Sequence, residues 1–217
     1  EIGAGGATGH VIEYGGEAIR AMRMDERMTV CNMSIECGAR AGLIAPDQTT
    51  YDYIRGRRFA PPEKEWDRAV SHWSSFASDP GCSYSQKLKI NVSGLKPMVT
   101  WGINPGQTIA IDSCVPRLED LPEHERQSAS QALEYIGLKA GEPLAGTPID
   151  WAFVGSCTNG RIEDLRAAAA VLKGRKVHPN VTFYVVPGSE AVMQQAIEEG
   201  LDRVFVEAGA HFRNPGC

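Results

Sequence analysis

The sequence predicts an α/β fold built on a mostly parallel sheet. From residue 150 onward, short apolar runs alternate with segments of helical composition, which is the pattern of repeated βα units. Each run is apolar almost throughout, as strands are when helices cover both faces of their sheet. With 217 residues and 42% hydrophobic side chains, the chain can form one large domain or two small ones.

The elements before residue 140 follow from periodicity, caps and turn residues. A glycine-rich turn over 3–9 precedes a helix over 17–22. Residues 28–31 are predicted as a strand, and Asn32 is predicted to cap a helix that runs to about 41. The remaining predicted elements are helices over 49–55 and 65–77, a strand over 87–93, paired strands over 98–101 and 108–111, and a helix over 128–136.

The stretch 137–148 is rich in glycine and proline and is predicted to link two domains, over 1–140 and 149–217. The second domain is predicted as βαβαβ. Its elements are a strand over 151–154, a helix over 162–172, a strand over 181–186, a helix over 189–199 and a strand over 203–206.

Composition argues against several classes of partner. A net charge of −5 with scattered basic residues gives no footprint for nucleic acid. No run approaches the roughly 18 apolar residues of a membrane span. Six irregularly spaced cysteines without an export signal favour reduced thiols, so we expect a cytoplasmic protein.

Two cysteines follow predicted strands of the second domain. Cys157 lies on a turn before a helix, where the positive helix end favours a thiolate, and Cys217 follows a Pro-Gly turn after the third predicted strand. Loops beyond the carboxyl ends of parallel strands are where ligands bind. The pair therefore suggests an iron-sulfur or a zinc site, the alternative for Cys157 being a buried, inert thiol.

Polar side chains accompany these thiols. Ser156, Thr158, Asn159 and Arg161 could hold a bridging sulfide or a substrate carboxylate, although Asn159 could instead only cap the next helix. Asn32 and Glu36 lie four residues apart and would share a helix face toward one small ligand, or act as a cap and a solvated glutamate. The loop 104–107 could present backbone amides to an anion or only connect strands.

Four segments together resemble the aconitase superfamily: VCNMSIE (30–36), ARAGLIAPD (39–47), WGINPGQ (101–107) and GSCTNGR (155–161). The resemblance runs in order across essentially the whole chain. It implies three-layer α/β/α domains around a mostly parallel sheet, of which this chain would be a central part. Two departures are Ile103, where threonine is usual, and Gly160, where serine is common.

The resemblance also implies a [4Fe-4S] cluster held by three cysteines. Cys157 and Cys217 match the first two ligands, and the third would lie three residues beyond Cys217. One iron would then lack a protein ligand and act as a Lewis acid on substrate oxygens. By the same resemblance Asn32 and Glu36 match active-site residues, with Glu36 near the substrate hydroxyl.

Within the superfamily, the likeness is greatest to the branch that moves the hydroxyl group of isopropylmalate in leucine biosynthesis. In that branch the serine base comes from a swivelling domain on a separate small subunit, which implies a heterodimer acting on a hydroxy-diacid. Homoaconitase or citraconate hydratase activity is one alternative. The other is a non-catalytic, truncated module that binds a partner.

Overall fold

The computed structural model describes residues 2–216. They divide into two units, Glu1–Thr147 and Pro148–Cys217. Parallel pairing of β1 with β2 in the first unit, and of all three strands in the second, confirms the α/β class. None of the described helices combines the length and the apolar character that a membrane crossing requires.

The first unit has two small sheets and five helices among its described residues. Its elements in chain order are β1 (Val11–Tyr14), α1 (Glu17–Ala21), α2 (Met24–Met33), a 3-10 turn (Ser34–Cys37), β2 (Ala41–Ile44), α3 (Gln48–Ile54), a 3-10 turn (Glu63–Glu65), α4 (Trp66–Ser74), β3 (Met98–Thr100), β4 (Thr108–Ala110), a 3-10 turn (Leu118–Asp120) and α5 (Glu123–Ile136).

The strand predicted over 28–31 is wrong, because these residues lie inside α2. The helix begins earlier: the Glu26 carboxylate accepts a hydrogen bond from the backbone N–H of Arg23 at 2.8 Å and so caps its first turn. Asn32 therefore lies near the end of this helix and does not start one. The strand in this part of the chain is β2, which follows the helix and pairs in parallel with β1.

A buried arginine holds the first helices together. The two terminal guanidinium nitrogens of Arg27 donate to the carboxylate oxygens of Asp47, at 2.6 and 2.8 Å. The same side chain donates to the backbone carbonyls of Met22 and Arg20, at 3.0 and 2.9 Å. Asp47 also caps α3 by accepting from the N–H of Thr50. The hydrogen bond from Arg27 lowers the pKa of the Asp47 carboxyl below its usual value.

The antiparallel pairing of β3 with β4 confirms the strands predicted over 98–101 and 108–111. The strand predicted over 87–93 is wrong, since this segment pairs with none of the described strands and its apolar side chains Leu88, Ile90 and Val92 are exposed. The boundary between the two units falls at the end of the segment 137–148, which was predicted to link two domains. Leu138 and Leu144 pack against the core of the first unit, formed by Trp101, Val115, Ala129 and Leu133.

The second unit is a three-stranded parallel sheet with the strand order β5-β6-β7. Its elements are β5 (Trp151–Gly155), α6 (Ile162–Leu172), β6 (Thr182–Val186), α7 (Glu190–Glu198), α8 (Leu201–Ala208) and β7 (His211–Phe212). The predicted helix over 162–172 is confirmed without a shift. The strand predicted over 203–206 is wrong, because these residues belong to α8 and the third strand follows it.

The three helices pack on one face of this sheet. Leu165 from α6, Ala196 from α7 and Phe205 from α8 share a buried cluster with Val185 of β6. On the opposite face, Trp151 is 63% exposed, and the centroid of its ring lies 5.2 Å from the centroid of the Tyr184 ring. Helices therefore cover one face of the sheet among the described residues of this unit.

Candidate functional site

The loop between β5 and α6 carries the first predicted ligand, Cys157. In a parallel sheet all strands end at the same edge, so this loop, residues 155–161, shares an edge with the residues that follow β6 and β7. We call it the Cys157 loop. The edge is where the sequence predicted the metal site.

Close backbone contacts fix the shape of the Cys157 loop. Gly155 has a φ of +128°, and a Cβ placed there would lie 1.9 Å from the carbonyl oxygen of Val186. A Cβ on Gly160 would lie 2.0 Å from the carbonyl oxygen of Ser156. The N–H of Ser156 donates to the carbonyl of Val186 at 2.9 Å, and the N–H of Gly188 donates to that of Gly160 at 2.7 Å. The loop is thus held against the end of β6.

Ser156 has a φ of +72°, and among the described residues it is the one non-glycine residue with a positive φ. A left-handed backbone at a residue other than glycine, asparagine or aspartate costs free energy, which the surrounding hydrogen bonds must offset. The conformation brings the next residue, Cys157, to an exposed position at the sheet edge. Its Sγ lies 3.8 Å from the Oγ1 of Thr158.

Cys157 is exposed among the described residues, which argues against the alternative of a buried, inert thiol. Asn159 is also exposed and does not cap α6, since Arg161 occupies the N-cap position. Arg161 is half-buried and donates from its guanidinium to the carbonyl of Thr158, while its N–H donates to the carboxylate of Asp164 at 3.0 Å. Arg161 therefore braces the loop from within.

Cys217, the second predicted ligand, lies outside the described residues. The segment leading to it starts at the same sheet edge, because the N–H of Arg213 donates to the carbonyl of Val185 at 2.9 Å directly after β7. Among residues 2–216, no three histidine, cysteine or acidic side chains are grouped closely enough to hold a metal ion. An exposed thiol on a rigid loop fits an iron-sulfur cluster, whose irons prefer thiolate ligands, provided that further cysteines complete the set.

Asn32 and Glu36 lie in the first unit. Asn32 is in the last turn of α2 and Glu36 is in the 3-10 turn that follows, so the single helix predicted for both is wrong. Both residues are exposed, as a ligand-binding pair would be. Next to them, burial raises the pKa of the Cys31 thiol, which favours its neutral form.

The loop 101–107 is closed by its own hydrogen bonds. The buried side chain of Gln107 accepts from the N–H of Ile103 at 2.7 Å, and that of Asn104 accepts from the N–H of Gly106 at 2.9 Å. These two amides are therefore already bonded and do not face an anion. The Ile103 side chain points away from the core and is 60% exposed.

Sequence reasoning missed the turn after β6. Pro187 is fully buried, and Gly188 lies so close to the Cys157 loop that its Cβ would be 3.0 Å from the carbonyl oxygens of Ser156 and Gly160. The signal was present in the Pro-Gly pair directly after an apolar strand. A neighbouring parallel strand must end beside the first, so its turn was the natural support for the ligand loop.

Comparison with known proteins identifies the family of the chain. The model of the aconitase family (aconitate hydratase) matches residues 1–217. Over 217 residues the chain is 52% identical to the 3-isopropylmalate dehydratase large subunit of Synechococcus sp. (strain JA-2-3B'a(2-13)), covering 100% of the chain and 46% of that relative. It is 55% identical over 216 residues to the 3-isopropylmalate dehydratase large subunit of Roseiflexus castenholzii (strain DSM 13941 / HLO8), covering 99% of the chain and 46% of the relative.

The chain thus spans about half the length of the curated relatives that it matches. Both the family model and the relatives align with essentially every residue of it, including the Cys157 loop. The family predicted from the four sequence segments is confirmed. The chain belongs to the aconitase family.

Proposed function

We propose that this chain is the central part of the large subunit of an iron-sulfur hydro-lyase that interconverts 2-isopropylmalate and 3-isopropylmalate through isopropylmaleate in leucine biosynthesis. The observation that carries the proposal is the exposed thiol of Cys157 on a loop fixed at the sheet edge. The names of the relatives supply the substrate, and the large-subunit naming supports a separate small subunit.

Cys157 and Cys217, with a third cysteine outside this chain, would hold a [4Fe-4S] cluster. The cluster, when bound, supplies a Lewis acid that polarises the substrate hydroxyl and carboxylate. The backbone contacts of the Cys157 loop fix the backbone that carries the thiol, so the loop would be in place before the cluster binds.

Polar residues of this chain would orient the substrate and the cluster. The Thr158 hydroxyl lies 3.8 Å from the Cys157 thiol. It would donate to cluster sulfur or substrate oxygen together with the side chains of Ser156 and Asn159, which flank this pair in sequence. Arg161 holds the loop through the bond from one guanidinium nitrogen to the Thr158 carbonyl. Its other N–H groups would bind a substrate carboxylate or the cluster.

Elimination of water requires a base at carbon and an acid at oxygen. Glu36 would move a proton at the leaving hydroxyl oxygen, and the Asn32 amide would donate a hydrogen bond to a substrate oxygen. Both side chains are exposed and thus accessible to a ligand. The base at carbon would come from the small subunit, so the catalytic unit would be a heterodimer in the cytoplasm.

The test is turnover by the full-length large subunit, reconstituted anaerobically with iron and sulfide and mixed with its small subunit. The proposal predicts isomerisation of 2-isopropylmalate that requires iron and both subunits. Faster turnover of homoaconitate or citraconate would assign the site to one of those hydro-lyases. A subunit complex without turnover of any of the three acids would refute the proposal.

A further inference from the structure

Ser34 lies between the two residues of the first unit that are proposed to contact the substrate, Asn32 and Glu36. It is buried, with 1% of its surface exposed, whereas both of its site neighbours are exposed. At Ser34 the helix α2 ends and the 3-10 turn begins. A buried hydroxyl needs hydrogen-bond partners within the fold, so the partners of Ser34 decide how the two site residues are held.

The backbone changes its hydrogen-bonding pattern at Ser34. The N–H of Ser34 donates to the carbonyls of Cys31 and Asn32. A continued α-helix would direct this N–H to the carbonyl of Val30. The Val30 carbonyl accepts from the Ser34 hydroxyl at 3.1 Å instead. The serine side chain thus supplies a partner to a carbonyl at the end of the helix, where the backbone no longer provides the regular one.

Tyr14, the last residue of β1, extends this bond into a chain. Because the Ser34 hydroxyl already donates its proton to Val30, the Tyr14 hydroxyl is the donor in the 2.8 Å contact with the Oγ of Ser34. The backbone carbonyl of Ser34 accepts from the N–H of Ala39 at 3.2 Å and from the Cys37 thiol at 3.0 Å. Ser34 therefore ties together β1, α2 and the turn that leads to β2.

The strand β2 lies directly against the same side chain. A Cβ placed on Gly42 would lie 2.1 Å from the Oγ of Ser34 and 2.9 Å from the carbonyl oxygen of Cys31. Glycine at this position of β2 leaves the space that the Ser34 hydroxyl occupies. The hydroxyl is thus enclosed by described residues of the first unit.

The tighter turn at Ser34 sets the angle between the two site residues. A 3-10 turn advances by about 120° per residue and an α-helix by about 100°, so the two steps from Ser34 rotate Glu36 by about 40° from its place in a continued helix. The same steps carry it about 1 Å further along the axis. The placement of Glu36 relative to Asn32 therefore depends on the hydrogen bonds that hold this turn.

We propose that Ser34 and Tyr14 are positioning residues, which hold Glu36 at the angle to Asn32 that proton transfer at the leaving hydroxyl requires. The inference rests on the proposed function, because that function gives Glu36 its role in proton transfer. Neither positioning residue touches the substrate. Tyr14 acts through the Ser34 hydroxyl, and Ser34 acts through the turn that carries Glu36.

The experiment measures kcat and KM for 2-isopropylmalate with the full-length large subunit, reconstituted anaerobically and mixed with its small subunit. Ser34→Ala should lower kcat by about tenfold and change KM by less than about twofold, because Glu36 is displaced while the side chains that bind the substrate remain. Tyr14→Phe should lower kcat by about threefold. In the double variant Tyr14→Phe should add less than about twofold, since its effect passes through the missing Ser34 hydroxyl.

Tyr51→Phe is the matched control, because Tyr51 takes part in a similar chain of hydrogen bonds in the same unit. Its hydroxyl oxygen lies 3.0 Å from the Oγ of Ser74, which donates to the carbonyl of Val70 at 2.7 Å. Ser74 is the last residue of α4, and no residue of the proposed site belongs to that helix. Loss of the Tyr51 hydroxyl should therefore change kcat by less than about twofold.

Two results would overturn the inference. One is a kcat within about twofold of wild type for both Ser34→Ala and Tyr14→Phe. The other is an equal fall in kcat for Tyr14→Phe and Tyr51→Phe, which would show a general loss of stability. Where Ser34→Ala does not fold, Tyr14→Phe keeps its ring and decides the question against Tyr51→Phe.

Turnover by the wild-type complex is recorded in parallel. Its absence would refute the proposed function. Normal wild-type turnover with an unchanged kcat in the Ser34 and Tyr14 variants would refute the positioning role alone.

Discussion

Gly155 is the residue at which the backbone leaves least room for a side chain beside the ligand loop. In Gly155→Ala the new Cβ would lie 1.9 Å from the carbonyl oxygen of Val186 and 2.7 Å from its carbonyl carbon. Both are backbone atoms of β6, so a change of rotamer relieves neither contact. Either β6 or the Cys157 loop must move.

The size of the effect follows from three contributions. A φ of +128° costs an alanine about 1–3 kcal/mol. The overlap with β6 adds about 1–3 kcal/mol, as overpacking does elsewhere. Loss of the bond from Ser156 N–H to the Val186 carbonyl adds about 1 kcal/mol. The free energy of unfolding should therefore fall by about 3–7 kcal/mol.

Gly174→Ala is the matched control for this prediction. Gly174 lies in the same unit with a φ of +74°, and nothing is within 4 Å of its Cβ position. Its replacement should cost about 1–2 kcal/mol through backbone conformation alone. Urea unfolding of the chain gives both values. A difference of less than about 0.5 kcal/mol between the two variants would refute the argument that close approach to β6 fixes the loop.

Four further predictions concern charge, the cluster and the reaction. Arg27→Met should lower the free energy of unfolding by about 1–3 kcal/mol in urea melts at pH 7, because it removes the charge-assisted hydrogen bonds to Asp47, whose side chain is 35% exposed and so is partly solvated when unpaired. Because the pKa of Asp47 is lowered in the folded state, its ionised carboxylate stabilises the fold above about pH 4, and this stabilisation is lost as pH falls further. Asp47→Asn should remove this part of the pH dependence of the free energy of unfolding. An unchanged pH dependence in acid would contradict the role of this carboxylate. Cys157→Ser in the full-length subunit should abolish the visible absorption of the reconstituted cluster, whereas Cys114→Ser, at an exposed cysteine of the first unit, should not. Glu36→Gln should lower kcat by about 10²–10⁴-fold while that absorption remains, and a normal kcat would exclude Glu36 from proton transfer.

Local signals predicted the fold well where they were unambiguous. The helix over 162–172 has a continuous apolar periodicity and a capping carboxylate at Asp164, and the structure matches it residue for residue. The run 203–206 was ambiguous, because a short apolar segment suits a strand and a buried helix equally. Glycines at 200 and 209, both with left-handed backbones, bound α8 and are the signals that decide for a helix.

Other errors came from interactions that lie outside a local window. Residues 87–93 alternate as a strand does, but a strand also needs a hydrogen-bonded neighbour, and none of the described strands pairs with them. Residues 28–31 have the β-branched and apolar composition of a strand. They are helical because α2 starts earlier, where the Arg23 N–H donates to the Glu26 carboxylate, and because Arg27 of the same helix is hydrogen-bonded to Asp47. Tertiary contact decided both cases.

For the site, sequence reasoning identified the loop but not its support. Cys157 was predicted from its position after a strand and before a helix, and the structure places it exposed at that position. The contacts from Val186 and Gly188 come from the neighbouring strand, which is 30 residues away in sequence and adjacent only through the parallel pairing. The bond from Arg161 to Thr158 likewise depends on the folded shape of the loop.

The role of Cys157 as a ligand of a catalytic cluster is tested most directly by the conversion of 2-isopropylmalate to 3-isopropylmalate. The full-length large subunit is reconstituted anaerobically and mixed with its small subunit, and wild-type protein is compared with Cys157→Ser. We expect iron-dependent conversion by the wild-type pair and none above background by the variant, although its subunits still associate. Equal conversion by both would contradict the assignment of Cys157 as a cluster ligand. No conversion by a wild-type pair that carries its cluster would contradict the proposed reaction.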